Sequence, residues 1–433
     1  MNLGDLDLSN NQLESIDPTL FSFCTEMYKL DLSNNQIKYI QPNTFIKQRL
    51  NNLNLCGNQI ESLADISFDG LERLQYFDLS KNKIKSVEKL APFGAESKTL
   101  MIDNLDLSEN QIEKIEDDAF ESLKNLSTLN LCKNQLTNLT KRTLKGLIGL
   151  KVLSLNENPL SGLGVCEALF EESKSLTILN LNKLQLKSVY KSLFKGLSVL
   201  NTLNLSENEI DFNDDSDCLG DLNLLVSLNL NKNKISNLNS RALFSSNKYL
   251  NIVSIEECAL EKLPDTLGDR FCESSRITEL CIKCAEKVDD DKTIAIKEDA
   301  ENKANNETAK EVVSNSAENK PDENVKEVSR LERCFKYKCF KFLSKLNING
   351  FNIGEINDFT FESLINLETL DLSKNRIRKI STNGFKGLEC LKYLELSSNE
   401  LSSLDDEHLF APFPNLTFLY LKANKLKGCI NIS

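Results

Sequence analysis

The stretch Leu367–Ile377, LETLDLSKNRI, constrains this chain more than any other part of it. Leucines stand at its first, fourth and sixth places, an asparagine at the ninth and an isoleucine at the eleventh. After a further thirteen residues the pattern restarts at Leu391 with LKYLELSSNEL. A unit of about 24 residues that repeats along the chain marks a solenoid, one short strand and one return arm per turn. A single unit cannot bury enough apolar surface to offset the cost of ordering its backbone, so neighbours must supply the remaining burial.

Side chains alternate along a strand, so Leu370 and Leu372 point into the coil while Asp371 and Ser373 point to an open face. Asn375 ends the strand, where backbone groups still need partners. A carboxamide both donates and accepts, so it is expected to bond its own bend and that of the next unit. Ile377 and Ile380 then fill the core, and Phe385 with Leu388 packs the return arm. The same ladder place holds Asn11, Asn35, Asn58, Asn82, Asn110, Asn134, Asn158, Asn208, Asn233, Asn375, Asn399 and Asn424. Four units depart from it, with Leu184 in the eighth, Cys258 in the eleventh, Ala285 in the twelfth and Phe351 in the thirteenth. Leucine cannot hydrogen-bond through its side chain, so the bend at Leu184 must be satisfied differently or be locally altered. Cysteine is a small, weakly bonding substitute that this pattern allows.

From Glu286 to about Val328 the chain becomes rich in Glu, Asp, Lys and Asn, a composition that cannot bury enough apolar area to order itself. Tyr337, Phe340 and Leu343 repeat the spacing of Phe361, Leu364 and Leu367. This spacing predicts an acidic disordered insertion, 286–330, within the return arm of repeat 12. It would divide one continuous stack into residues 1–285 and 331–433. A net charge of -12 argues against nucleic acid as a partner, since phosphate contacts need a basic face. No apolar run reaches the length of a membrane span, and Met1 opens directly onto the first repeat with no signal peptide in view.

Units of this length with a phenylalanine in the return arm resemble the typical extracellular leucine-rich repeat class, which includes Toll-like receptor ectodomains, Slit and chaoptin. Phe21, Phe45, Phe68, Phe120, Phe194, Phe361 and Phe385 hold that place. The resemblance covers nearly everything outside the acidic insertion. It implies an α/β solenoid, a leucine-rich repeat horseshoe with about 16 short parallel strands on its concave face and mostly irregular return arms. Members of the class carry cysteine-rich caps at both ends, and their lack here reads as a fragment of a longer product whose uncapped ends offer a dimer contact. The insertion resembles, in kind, the protease-sensitive loop of endosomal Toll-like receptors, which implies a regulatory cleavage role.

Two groups on the open face are candidate binding residues. Asp7, Asp31, Asp78 and Asp106 form an acidic row along strands about 4.8 Å apart, suited to a basic partner or simply the solvated consensus of the repeat. Tyr393, Phe418 and Tyr420, beside Glu395, form an aromatic patch suited to protein contact or to cover by further chain. Cys281, Cys284, Cys334 and Cys339 read C-x2-C and C-x4-C, a zinc-like spacing, yet they divide between the open face and the return arm, so no metal is expected. A disulfide between neighbouring return arms, Cys272 to Cys339, and free thiols are the alternatives. The lysine-and-aromatic run FKYKCFKFLSK is read as core aromatics with solvent-facing lysines rather than a membrane contact. The sequons at Asn125, Asn138, Asn204, Asn306, Asn415 and Asn431 would accept N-glycans in a secreted protein.

His408 is the one histidine, no phosphate-cradling loop is present, and no nucleophile has a base nearby, so neither catalysis nor a cofactor is expected. The reading is a protein-recognition ectodomain of receptor or adhesion type, Toll-like in its resemblance, that takes a protein or glycan ligand. It would be extracellular or at the cell surface if a signal precedes this sequence, and cytoplasmic otherwise. An intracellular scaffold and a structural matrix protein are the rival readings.

Overall fold

A computed structural model describes residues 3–427 apart from 22–23, 47, 68, 89–99, 213–217, 237–246, 248, 259–276, 278, 285–334, 336–337, 405 and 407. One parallel sheet of 16 strands runs through it, with the strands in sequence order. It begins at Asp5–Asp7, Lys29–Asp31 and Asn52–Asn54 and ends at Thr369–Asp371, Tyr393–Glu395 and Phe418–Tyr420. Most strands are three residues long, because only places three to five of each unit pair before the chain bends. Their register is that of the repeat, with Leu6 opposite Leu30 and Leu30 opposite Leu53. The strand Glu279–Cys284 pairs directly with Lys345–Asn349, and Lys345 Nζ lies 2.8 Å from Glu279 Oε1. The return arms hold little helix, chiefly 3-10 turns such as Leu63–Asp65 and Lys191–Phe194, and two short two-stranded pairs.

The leucines at places four and six are sealed from solvent within the stack, as at Leu30, Leu32, Leu203 and Leu372. In the outermost strands Leu6, Leu8, Leu419 and Leu421 are only partly covered. Phenylalanine rings form a second spine in the return arms. Phe21 stacks on Phe45 at 6.1 Å, and Phe361 on Phe385 at 6.3 Å. Phe335 lies beside Phe361, at 6.0 Å. Tyr337 itself lies outside the described residues, as do Phe68, Ala285 and the whole acidic run 286–330.

Each bend is held from both sides. Backbone N–H groups at places six and eight donate to the following repeat, as in Leu32 N to Asn54 O at 2.8 Å and Asn34 N to Cys56 O at 2.7 Å. The ladder carboxamide works in the other direction. Asn35 Nδ2 donates to Leu32 O in its own bend and to Leu8 O in the preceding repeat, both at 3.0 Å, while its Oδ1 accepts from Leu13 N at 2.9 Å. The expected link to the next unit is therefore a link to the previous one. The backbone already joins each bend to its successor, which leaves the earlier repeat's carbonyl and N–H for the side chain.

The exceptions show how the ladder tolerates a gap. Leu184 is fully buried, and Asn208 Oδ1 accepts from both Leu184 N and Leu186 N, at 2.9 and 3.1 Å. Gln185 adopts φ 63° in that bend beside Lys183 at φ 56°. Phe351 repeats the solution: Asn375 Oδ1 accepts from Phe351 N and Ile353 N at 2.9 and 3.2 Å, and Asn352 stands at φ 55°. At Cys258 the thiol itself donates to Leu230 O at 3.3 Å, the bond an asparagine would have made.

Place eight adopts the left-handed conformation, with glycine at Gly57 and Gly350 but without it at Lys81, Glu109, Lys133, Glu157, Lys183, Glu207, Lys232 and Glu257, these eight all with φ between 52° and 59°. Such a residue costs of order 1–3 kcal/mol and persists only where surrounding bonds over-determine it. Here the backbone and carboxamide bonds do so.

Because Asn208 serves one more buried N–H than Asn134, which accepts only from Ile112 N, Asn208→Ala is expected to destabilise the protein by about 1–3 kcal/mol more than Asn134→Ala. Denaturant midpoints of the two variants measure the difference, and equal midpoints would contradict the double acceptance.

Candidate binding face

Strand alternation sends places three and five of every repeat onto the open face of the sheet, and the register stacks them into two columns. The central column divides by chemistry into three zones. Its first part runs Asp7, Asp31, Asn54, Asp78, Asp106, Asn130. The middle part is uncharged, with Ser154, Asn180, Asn204, Asn229 and Ser254. The last part is Asp371, Glu395 and Tyr420.

The acidic side chains have a local job as well as a charge. One carboxylate oxygen of Asp7, Asp31, Asp78 and Asp106 accepts from the backbone N–H two residues on, at 2.8 Å in each case. The bond from Ser9 N–H holds the Asp7 carboxyl below the usual aspartate range. Asn54 and Asn130 cap Cys56 N and Cys132 N in the same way, at 3.0 and 3.1 Å. Their amides then bridge to the second oxygen of a neighbouring acid, Asn54 to Asp31 at 3.0 Å and Asn130 to Asp106 at 2.9 Å. The row is thus an organised strip of fixed carboxylates. It borders a shallow depression of about 380 Å3 lined by Lys29, Asp31, Tyr76, Asp78, Asn104 and Asp106 among others. Tyr76 stands 49% exposed at its edge.

At the other end Tyr393 lies 5.2 Å from Tyr420 and 6.1 Å from Phe418, ring centre to ring centre. Glu395 caps Ser397 N at 2.9 Å, and partial burial raises the Tyr393 phenol above its ordinary range. Phe418 and Tyr420 are exposed on the open face. The acidic and aromatic groups sit at opposite ends of the stack, so the fold does not gather them into one site.

The remaining candidates are scattered. Cys272 lies outside the described residues, as do Cys334 and the side chains of Cys284 and Cys339. Cys281 sits in the central column with its thiol pushed up by burial to about 11. Among the described residues no group of three His, Cys, Asp or Glu side chains is arranged to hold a metal, and no helix is long and apolar enough to cross a membrane. Phe340 is buried, but Phe342 is 44% exposed with Lys341 Nζ 4.9 Å over its ring, so that run is only partly core. Phe342 falls at the corner just before the strand, where the chain passes over the flank. Of the sequons, Asn125, Asn138 and Asn415 are exposed, whereas Asn204 is half-buried in the central column.

Sequence reasoning missed the charge ladder on the rim beside this face. The left-handed residues at place eight alternate in sign over Lys81, Glu109, Lys133, Glu157, Lys183, Glu207, Lys232 and Glu257. Lys183 Nζ lies 3.7 Å from both Glu157 and Glu207, and Lys133 lies 3.6 Å from Glu109. Reading place eight in order down the chain would have exposed it.

The family profile described as Leucine rich repeat matches residues 1–47, 48–93, 102–160, 174–235, 342–401 and 385–426. Human CD180 antigen is 33% identical over 97 residues, which cover 21% of this chain and 14% of that protein. Rat leucine-rich repeat-containing G-protein coupled receptor 5 is 40% identical over 83 residues, 19% of this chain and 9% of the receptor. Lumican of Gallus gallus is 32% identical over 108 residues, 20% of this chain and 31% of lumican. The aligned parts thus span under a third of each of these relatives. Among solved structures, a leucine-rich repeat protein of Leptospira interrogans superposes with a TM-score of 0.70 at 21% identity, over 98% of this chain and 90% of that one. The Toll–Spatzle complex of Drosophila matches with a TM-score of 0.69 at 17% identity, over 99% of this chain and 52% of that one, which is a likeness of fold. The profile covers well over half of the sequence, and strand, bend and return arm are cut from the same unit: the chain belongs to the leucine-rich repeat family.

Proposed function

We propose that this chain is a recognition module of receptor or adhesion type, binding a protein ligand on the open face of its sheet at or outside the cell surface. The observation that supports it best is the acidic strip with Tyr76 at its edge. Fixed carboxylates bordering a depression, with an exposed ring beside them, suit a basic protein surface. The kinship with receptors and a matrix protein points the same way, and the fold serves binding rather than chemistry. Tyr393, Phe418 and Tyr420 would form a second, apolar contact at the far end.

Charge can be removed here without removing structure, because Asn54 and Asn130 already perform the aspartate's capping bond. Asp31→Asn, Asp78→Asn and Asp106→Asn combined are expected to leave the melting temperature close to wild type. Binding of a polylysine peptide should weaken at least about tenfold, as losing contacts between a basic ligand and three carboxylates implies. Unchanged peptide binding, or a collapse of stability, would reject the strip as a binding surface.

Residues 1–285 and 331–433 are proposed to act as one body around the insertion 286–330, with the pairing of Glu279–Cys284 and Lys345–Asn349 in support. Small-angle scattering is expected to fit a single solenoid, and two independently moving lobes would contradict it.

One observation favours the rival, an intracellular scaffold: Cys24, Cys56, Cys132, Cys166, Cys258, Cys281 and Cys390 are in no disulfide. Thiol titration of native and unfolded protein separates the readings. Several disulfides elsewhere in the chain support secretion, and thirteen titratable thiols support the scaffold. In either case Cys258, raised by burial to about 11, stays protonated at neutral pH and is expected to react only after unfolding.

A further inference from the structure

The flank that leaves the open face carries charge in a pattern with a symmetry of its own. Place eight of repeats 4 to 11, and places ten and twelve of repeats 4 to 10, point outward, since places nine and eleven are buried between them, as Asn82 and Ile84 are. Counted from the middle of this run, opposite signs always face each other. Glu157 is matched with Lys183, Lys133 with Glu207, Glu109 with Lys232, and Lys81 with Glu257. The flanking places follow the same rule. Lys83 and Lys85 extend the cationic end beside Lys81, Lys234 joins Lys232 opposite Glu109 and Glu113, and Glu209 and Asp211 join Glu207 opposite Lys133.

We propose that this flank is a self-complementary face for a second copy of the chain. The two solenoids would lie flank to flank about a two-fold axis that passes between Glu157 and Lys183. A two-fold operation reverses the order of the repeats, so residue i meets j and j meets i. On this face that reversal brings every cationic repeat over an anionic one. A ladder of one sign, or one that paired like with like on reversal, would repel its own copy. The pairs within the chain do not exhaust the ladder: Lys133 and Glu109 are each at least 40% exposed in their side chains, and Lys232 is half exposed.

The size of the contact sets its strength. Eight strands at about 4.8 Å and a width of about five extended residues give a strip of roughly 35 by 13 Å on each copy. The pair would bury on the order of 900 Å2, at the weak end of specific interfaces. An interface of exposed ion pairs of that size is reversible and dissociates as salt rises. The exposed sequon asparagine Asn138 stands on the same flank, so the contact requires that site to be free of glycan.

Sedimentation velocity of the full chain tests this at low ionic strength and in about 1 M salt. The expected result is self-association to a dimer at low salt and monomer at high salt. Lys133→Glu sets two carboxylates against each other at the contact with the partner's Glu207, twice per dimer. Glu207→Lys does the same with two cations, so each variant alone should weaken association about tenfold, as a swing of about 1.4 kcal/mol would. Mixed together, the two variants restore opposite charges across the axis, and their mixture should dimerise as wild type does. That recovery needs no change in either fold, which separates it from a loss of stability. A chain that stays monomeric at low salt, a dimer that ignores salt, failure of the mixture to recover, or full glycan occupancy of Asn138 in the native product would each overturn the proposal.

Discussion

The amide of the ladder asparagine is the interaction on which the rest of this structure depends. It closes the bend in its own repeat and secures the carbonyl and N–H that the preceding repeat leaves open. Without it, a chain with one three-residue strand per turn would bury unpaired backbone at every corner, at a cost of about 1–3 kcal/mol per group. The leucine interior supplies the driving force for stacking, but it is non-directional. The carboxamides make each repeat sit at one height over the last, so that side chains from distant parts of the sequence form straight columns.

Those columns are what turn a repeated unit into a surface. Place five of the unit is rarely idle, because its carboxylate or amide caps the bend that follows. Aspartate and asparagine do this equally well, which frees their charge to vary along the stack. Acidic, neutral and aromatic zones can therefore lie on one sheet without any change in backbone, and ligand preference is set by composition at a place whose structural duty is already met.

Much of this was legible in the residues. The leucine and asparagine spacing specified strands, core and ladder, because those depend on a local period. Less legible was the direction of the ladder bonds, which depends on the groups the backbone leaves unpaired, and the repair at Leu184 and Phe351, which draws on the following repeat. Phe335, the ring that packs beside Phe361, was also not legible, because it precedes the spacing Tyr337, Phe340, Leu343 that matches the other return arms. Strand alternation within one unit is enough to put the acidic and aromatic candidates on the open face, but their separation along the stack is a property of the whole array rather than of any one unit.

The left-handed corner has one more consequence. A side chain branched at its β-carbon is severely strained in that conformation, and none of the bends described at this place carries valine, isoleucine or threonine. Evolution of the rim is thereby restricted to a short alphabet of glycine, small residues and long flexible ones. Lysine and glutamate are the members of that alphabet with reach and charge, so the geometry of a corner narrows the vocabulary in which this edge of the molecule can address its surroundings.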